Sequence, residues 1–141
     1  MAFSYGIGKL AKLTDTKVPT IRYYEQIGLL PEPPRNAGNQ RRYLPAHLQR
    51  LRFIRHCRQL GFHLEDITSL LALQERQADH DVQQIARAHL EAVREKRVRL
   101  EKLEQALGDL VSCCQSGEPH QCRILEVLGD HHLCGHDHEP V

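Results

Sequence analysis

Apolar residues recur at intervals of three and four along most of the chain, and the breaks between these runs mark five helices. The first spans about Ile7 to Leu13, with Ile7, Leu10, Ala11 and Leu13 on one face, and Thr14-Asp15-Thr16 breaks it. The second begins near Val18-Pro19, where a proline in the first turn gives up an N–H that has no helical partner, and it runs to Ile27 with Gly28 as its stop. The third occupies "PAHLQRLRFIRHCRQLG", with a stripe of Leu48, Leu51 and Ile54 that extends toward Cys57 and Leu60 before Gly61 ends it. "HLEDITSLLALQ" gives the fourth, and the polar break "ERQADHD" precedes a long fifth helix from about Val82 to Val111.

Two segments depart from this rhythm. "PEPPRNAGNQRRY" holds three prolines and a glycine, which forbid a regular helix. Its second part reads as a small hairpin, or wing, turning at Ala37-Gly38-Asn39. The long helix carries a seven-residue register, with Ala86, Val93, Leu100, Leu107 and Cys114 at one core position and His89, Lys96, Leu103 and Leu110 at the other. That seam is imperfect at its start and good from Leu100 onward, the pattern of a coiled coil that dimerises. The competing reading is an amphipathic helix packed on its own domain. About 30 helical residues span ~45 Å, however, and a 141-residue chain has little mass to cover such a rod.

Composition sharpens this picture in two places. The net charge of +1 hides a division: eleven Lys/Arg against three Asp/Glu through residue 60, and eight against fifteen after it. The first part suits a polyanion, and the acidic remainder has another task. No stretch approaches the ~18 apolar residues of a membrane span, and the N-terminus has no apolar signal-peptide core. The expectation is a cytoplasmic protein without a membrane partner. In that compartment five cysteines, an odd number, argue against structural disulfides.

Two short helices joined by a tight turn and followed by a wing make a winged helix-turn-helix. Thr20, Arg22 and Tyr23 on the second helix, and Arg41, Arg42 and Tyr43 on the wing, are the candidate DNA contacts: cationic and hydroxyl donors fix phosphates, and the helix enters the major groove. Tyr24 lies at helical spacing from Ile21 and Ile27 and reads as a core aromatic. The ordered pattern "IGKLAKLTDTKVPTIRYYEQIGLLPEPPRNAGNQRRY" followed by "LQRLRFIRHCRQLGFHLEDI" resembles the DNA-binding domain of MerR-family transcription regulators. With the long helix and the cysteine-bearing C-terminal loop, the likeness extends to the metal-sensing branch, the zinc-, cadmium- or lead-responsive type, and covers about residues 5–127. It implies a mainly α fold: a winged helix-turn-helix domain with a second helical pair over 1–75, a hinge at 76–81, a dimerisation helix over 82–112 forming an antiparallel coiled coil, a metal-binding loop and short helix over 113–128, and a His-rich tail over 129–141. It also implies a homodimer on palindromic double-stranded promoter DNA, which bends and untwists the duplex for RNA polymerase when activated.

The candidate metal chemistry is concentrated in "SCCQSGEPHQC". Gly117 and Pro119 let the chain fold back, so that Cys122 approaches Cys113 and Cys114, with His120 on the same loop. Thiolate and imidazole donors suit Zn(II), and also Cd(II) or Pb(II). A redox pair at Cys113-Cys114 and a catalytic cysteine are the weaker readings, since a vicinal disulfide is strained and no base pairs with a nucleophile. Cys57 reads as a small core residue. In the resembling branch Cys113, Cys114 and Cys122 correspond to loop ligands, and the partner's long helix supplies a further cysteine at its start. Here that segment is "ADHDV", so His80, Asp79 or Asp81 must substitute, with His80 the better donor and Asp79 the directly aligned one. Losing a thiolate shifts preference toward Zn(II). A two-thiolate Cu(I) site of the same family would leave one cysteine and His120 idle. A metal-storage or metal-delivery protein would leave the basic module without purpose, and a zinc hydrolase lacks its H-E-x-x-H motif. His131, His132, Cys134, His136 and His138 form an auxiliary metal site or a scavenging tail.

Overall fold

The computed structural model describes residues 3–114 and 124–129. Among these the chain forms six helices: α1 (Ile7–Thr14), α2 (Val18–Gln26), α3 (Pro45–Gln59), α4 (Leu64–Arg76), α5 (Asp79–Cys114) and α6 (Ile124–Gly129). They divide between two compact units, residues 1–85 and 86–141. None of the described helices is long and apolar enough to cross a membrane.

The first unit is built around one core. Leu10 of α1, Ile21 and Tyr24 of α2, Leu48, Leu51, Ile54 and Cys57 of α3, and Ile67, Leu70 and Leu71 of α4 are buried together, with Leu29, Leu30, Tyr43 and Phe62 from the connections. Val82 and Ile85 pack against it, so the first two turns of α5 belong to this unit. Two expected core positions are corrected. Leu13 is exposed, because the stripe Ile7, Leu10, Ala11 continues at the next helical repeat to Thr14, which is buried and satisfies its hydroxyl by donating to the Leu10 carbonyl at 2.8 Å. Leu60 is also exposed, since it lies beyond the last residue of α3, where the chain is already turning.

Helices α1 to α4 all end the same way. A residue in left-handed conformation (Asp15, Gly28, Gly61 or Gln77) follows the helix, and the next N–H reaches back five residues: Thr16 to Ala11 O, Leu29 to Tyr24 O, Phe62 to Cys57 O and Ala78 to Leu73 O, at 2.9–3.2 Å. This Schellman closure satisfies carbonyls that would otherwise be orphaned and drops an apolar residue, Leu29 or Phe62, back onto the core. After Gln77 only Ala78 separates α4 from α5. Its carbonyl accepts from Asp81 and Val82, and Asp79 and Asp81 place negative charge in the first turn, where the helix dipole favours it. The long helix therefore starts at Asp79, three residues before the expected boundary, and only Gln77 and Ala78 lie between it and α4.

The wing is short. Arg35 and Arg41 bridge its two sides, Asn39 turns with φ 60°, and the Asn36 side-chain oxygen accepts from the N–H groups of Gly38 and Gln40. Its returning side pairs with the N-terminal segment, Tyr5 and Tyr43 exchanging both backbone hydrogen bonds at 2.7 and 2.8 Å.

In the second unit α5 shows an unpartnered apolar seam in the single chain. Val93, Leu100 and Leu107 are exposed, and Leu103 and Leu110 are half-buried. Ion pairs along this helix tie Arg94 to Glu91, Arg97 to Glu101 and Arg99 to Glu95. Exposed pairs of this kind add little stability and serve mainly to keep the flanks of the seam polar.

Gly28 has φ 79° and open space around the position a Cβ would take. Gly28→Ala should therefore lose only the backbone preference, about 1–2 kcal/mol, without steric repacking. Urea unfolding followed by circular dichroism measures it, and a loss far outside that range would mean that the Schellman turn after α2 is not the constraint.

Candidate nucleic-acid interface and metal-ligand residues

The returning side of the wing is extended, so alternate side chains face opposite ways. Arg41 and Tyr43 turn toward α2 and meet one residue there, Glu25. The Tyr43 hydroxyl donates to Glu25 Oε1, and Arg41 Nε lies 3.4 Å from Glu25 Oε2, an ion pair without hydrogen-bond geometry. The Glu25 side chain is only 8% exposed, so its charge is compensated from the wing. Arg42 instead engages the N-terminal segment, donating from Nε to Ser4 Oγ at 3.1 Å and from Nη2 to Ser4 O at 2.9 Å.

This pinning builds an open cleft between α2 and the wing. Arg22, Arg35, Arg41 and Arg42 line it with Gly6, Ile7, Asn39 and Gln40. Four guanidinium groups and two amides, with no carboxylate on the lining, suit a phosphate backbone. Arg35 was not singled out from the sequence. It donates to Asn39 O at 3.0 Å and so braces the turn of the wing while lining the cleft. A second cleft lies at the start of α2, lined by Asp15, Thr16, Lys17, Thr20, Tyr24, Arg55 and Arg58. Arg55 of α3 grips the turn between α1 and α2 through both the carbonyl and the carboxylate of Asp15, the latter at 2.7 Å.

Of the expected DNA contacts, Arg22 and Tyr23 are exposed on α2, Thr20 is half-buried in the second cleft, and Arg41 and Arg42 line the first. Tyr43 is corrected. It is fully buried, its ring meets His47 edge-on at 5.7 Å, and its hydroxyl is committed to Glu25, so it holds the wing and has no surface to offer a phosphate. His47 extends this internal network: Nδ1 accepts from the Leu44 N–H at 3.0 Å at the start of α3, and the other ring nitrogen lies 3.1 Å from Pro31 O. Tyr24 and Cys57 are core residues, as their spacing indicates, and burial pushes the Cys57 thiol up from its ordinary value.

The candidate metal ligands are placed only in part. Asp79, His80 and Asp81 are exposed in the first turn of α5, and His80 Nε2 lies 3.3 Å from the Gln84 side-chain amide. Cys113 and Cys114 are the last two residues of α5, which therefore runs two residues past its expected end at 112. His120, Cys122 and the tail residues His131, His132, Cys134, His136 and His138 lie outside the described residues. Among the described residues no three His, Cys, Asp or Glu side chains are grouped as a metal site.

Comparison with known proteins agrees with this architecture. Residues 5–74 match the family described as MerR HTH family regulatory protein, and residues 48–110 match MerR, DNA binding. The HTH-type transcriptional regulator ZntR of Escherichia coli (strain K12) is 38% identical over 130 residues, covering 88% of this chain and 92% of that protein. The chain belongs to the MerR family. Among its MerR-family relatives, the mercuric resistance operon regulatory protein of Serratia marcescens is 39% identical over 123 residues, covering 86% of this chain and 85% of that one. The crystal structure of the transcription regulator PbrR691 from Ralstonia metallidurans CH34 in complex with lead(II) is similar at 43% identity and a TM-score of 0.74, covering 88% of this chain and 98% of that chain.

Burial, then the bond to Glu25 and its charge, hold the Tyr43 hydroxyl well above its ordinary value of 10.0, with Arg41 and Arg22 opposing. A phenol whose folded value is raised stabilises the fold fully below the ordinary value and loses that contribution as pH climbs above it. Unfolding free energy should thus fall above about pH 10, and it should fall less steeply in Tyr43→Phe, which keeps the ring and removes the titrating group. Denaturant midpoints from pH 8 to 11 for both proteins check this; parallel curves would contradict it.

Proposed function

We propose that this MerR-family chain is a metal-responsive transcription activator that binds a palindromic promoter operator as a homodimer. The observation that carries this is the cleft of four arginines between α2 and the wing, on a module whose basic charge contrasts with an acidic, cysteine-bearing remainder. Arg22 and Arg41 contact phosphate, Thr20 and Tyr23 lie on the face of α2 that enters the major groove, and the seam of α5 closes against a second copy. The exposure of Val93, Leu100 and Leu107 in the single chain supports that pairing, because such a row is stable in water only when covered.

The metal reading rests on the donor set. Cys113, Cys114, Cys122 and His120 of one protomer, with His80 or Asp79 of its partner, offer three thiolates and borderline donors, a set suited to Zn(II), with Cd(II) and Pb(II) as competitors. Relatives described as binding lead(II) and as regulating mercuric resistance support a soft-metal inducer. Deforming a site of 20–30 base pairs costs on the order of 1–6 kcal/mol, whereas a structural thiolate zinc site releases about 10–16 kcal/mol. The difference is ample, provided that the ion is held more tightly in one DNA-shape state than in the other. Metal-free and metal-bound forms both occupy the operator, and activation appears as distortion that lets RNA polymerase engage. Export or detoxification of the same ion is the matching output.

The operator is found by selecting the purified dimer against random duplexes. Arg22→Ala, which removes one contact from each protomer, should weaken binding to the selected duplex about 10-fold and make the salt slope shallower by about 1.8; an unchanged slope removes Arg22 from the contacts. Cys114→Ser and Cys122→Ser should leave duplex affinity within about twofold and abolish metal-induced transcription in a reporter. Loss of duplex binding in either would refute this division of labour. Competitive titration of the reduced dimer with Zn(II), Cd(II), Pb(II), Hg(II) and Cu(I) tests the ion, and Cu(I) held by two thiolates would overturn the assignment.

A further inference from the structure

Glu25 stands out in the basic module. It is a carboxylate on α2 one helical turn from Arg22, next to a cleft that otherwise gathers arginines, and it is nearly buried. For a surface that takes up polyanions, such a charge is a liability: it repels phosphate and neutralises a neighbouring cation. Its two oxygens are engaged by the two wing residues that face α2, Oε1 by the Tyr43 hydroxyl and Oε2 by Arg41. Tyr43 is also fixed from behind, by the edge contact with His47 and the backbone pairing with Tyr5, so its hydroxyl cannot follow a wandering wing. Arg41 keeps 37% of its side chain exposed beside the carboxylate, so one guanidinium is shared between Glu25 and whatever enters the cleft.

We propose that Glu25 is a positioning residue that fixes the register of the wing against α2 and withholds Arg41 from indiscriminate phosphate contact, trading raw affinity for discrimination between duplexes. This rests on the DNA-binding reading above and adds a role to a residue that touches no DNA itself. A duplex whose backbone path matches the fixed wing receives Arg22 and Arg41 together, whereas one that does not must break the Glu25–Arg41 pair to gain the second contact. Without the carboxylate charge, Arg41 follows any backbone.

The test is fluorescence anisotropy with the selected duplex and a scrambled duplex of equal length, across salt concentration. Glu25→Gln keeps a carbonyl oxygen for the Tyr43 hydroxyl and removes the charge that holds Arg41. Its affinity for the scrambled duplex should rise about threefold to tenfold and its preference for the selected duplex should fall by a similar factor, while its salt slope should steepen by about 1.8, one freed Arg41 in each protomer. A merely structural role would leave the slope alone. Tyr43→Phe, in which the ring still fills the core, should lower the preference with the slope unchanged, and it decides the matter if circular dichroism shows Glu25→Gln unfolded. Slope and preference at the wild-type values in Glu25→Gln, or a wild-type preference in Tyr43→Phe when only that variant folds, overturns the proposal. A wild-type chain that selects no duplex would instead sink the DNA-binding reading, a result separable from either.

Discussion

The basic module is organised by one constraint: a tyrosine hydroxyl buried at the root of the wing must find an acceptor. A buried polar group without a partner loses its hydration with nothing in return, on the order of 1–3 kcal/mol. For Tyr43 the acceptor is Glu25, whose own burial is tolerable only because Tyr43 and Arg41 engage both of its oxygens. The demands are reciprocal, and meeting them ties an irregular hairpin to a helix that shares no backbone hydrogen bonds with it. The arginine cleft lies beside that tie: Arg41 stays next to Glu25, and Arg35 and Arg42, held by Asn39 O and by Ser4, line the same rim.

Where the fold was legible in the sequence, a local physical rule dominated. Gly28 and Gly61 mark helix ends because a left-handed residue is needed there and glycine adopts it freely, and the wing turn follows from Gly38 and Asn39. Gln77 adopts the same left-handed conformation with no compositional signal, which is why α5 starts earlier than its hydrophobic register indicates. Thr14 illustrates the reverse case. A polar residue sits in an apolar stripe because its hydroxyl can turn back to the carbonyl four residues earlier, an option that hydrophobicity alone does not reveal.

The candidate interface was legible as a set of residue types and illegible as a set of contacts. Arg22, Arg41 and Arg42 were identifiable from charge and position, and all three line the cleft. Tyr43 has the same local signature as a phosphate donor, an aromatic hydroxyl beside two arginines, yet it points inward. Alternation along an extended strand separates it from Arg42, but only the partner on α2 shows which face is inside. Glu25 carried no signal as a participant, since a lone carboxylate in "RYYEQ" reads as helix solubility until its neighbours are known. The thiols of "SCCQSGEPHQC" are placed only in part: Cys113 and Cys114 close α5, and Cys122 lies outside the described residues.

The proposed mechanism, activation by deforming DNA, requires a stiff grip, and the interior of this module is tied in a way that meets the requirement. If the wing could move independently of α2, any force transmitted to the module would be spent on reorienting a hairpin whose contacts are each worth about 1 kcal/mol, well before a duplex that resists by several kcal/mol began to bend. The wing is therefore held on both faces, by Glu25 on one and Ser4 on the other, with the Tyr5–Tyr43 backbone pair between them. The turns between α1 and α2 and between α4 and α5 are likewise short and closed by backbone hydrogen bonds. Arg55 adds a strut from α3 to the first of them, so that α2 is braced at its N-terminus as the wing braces it through Glu25. Helix, turn and wing are thereby tied into one body, which is what the proposed mechanism asks of the module.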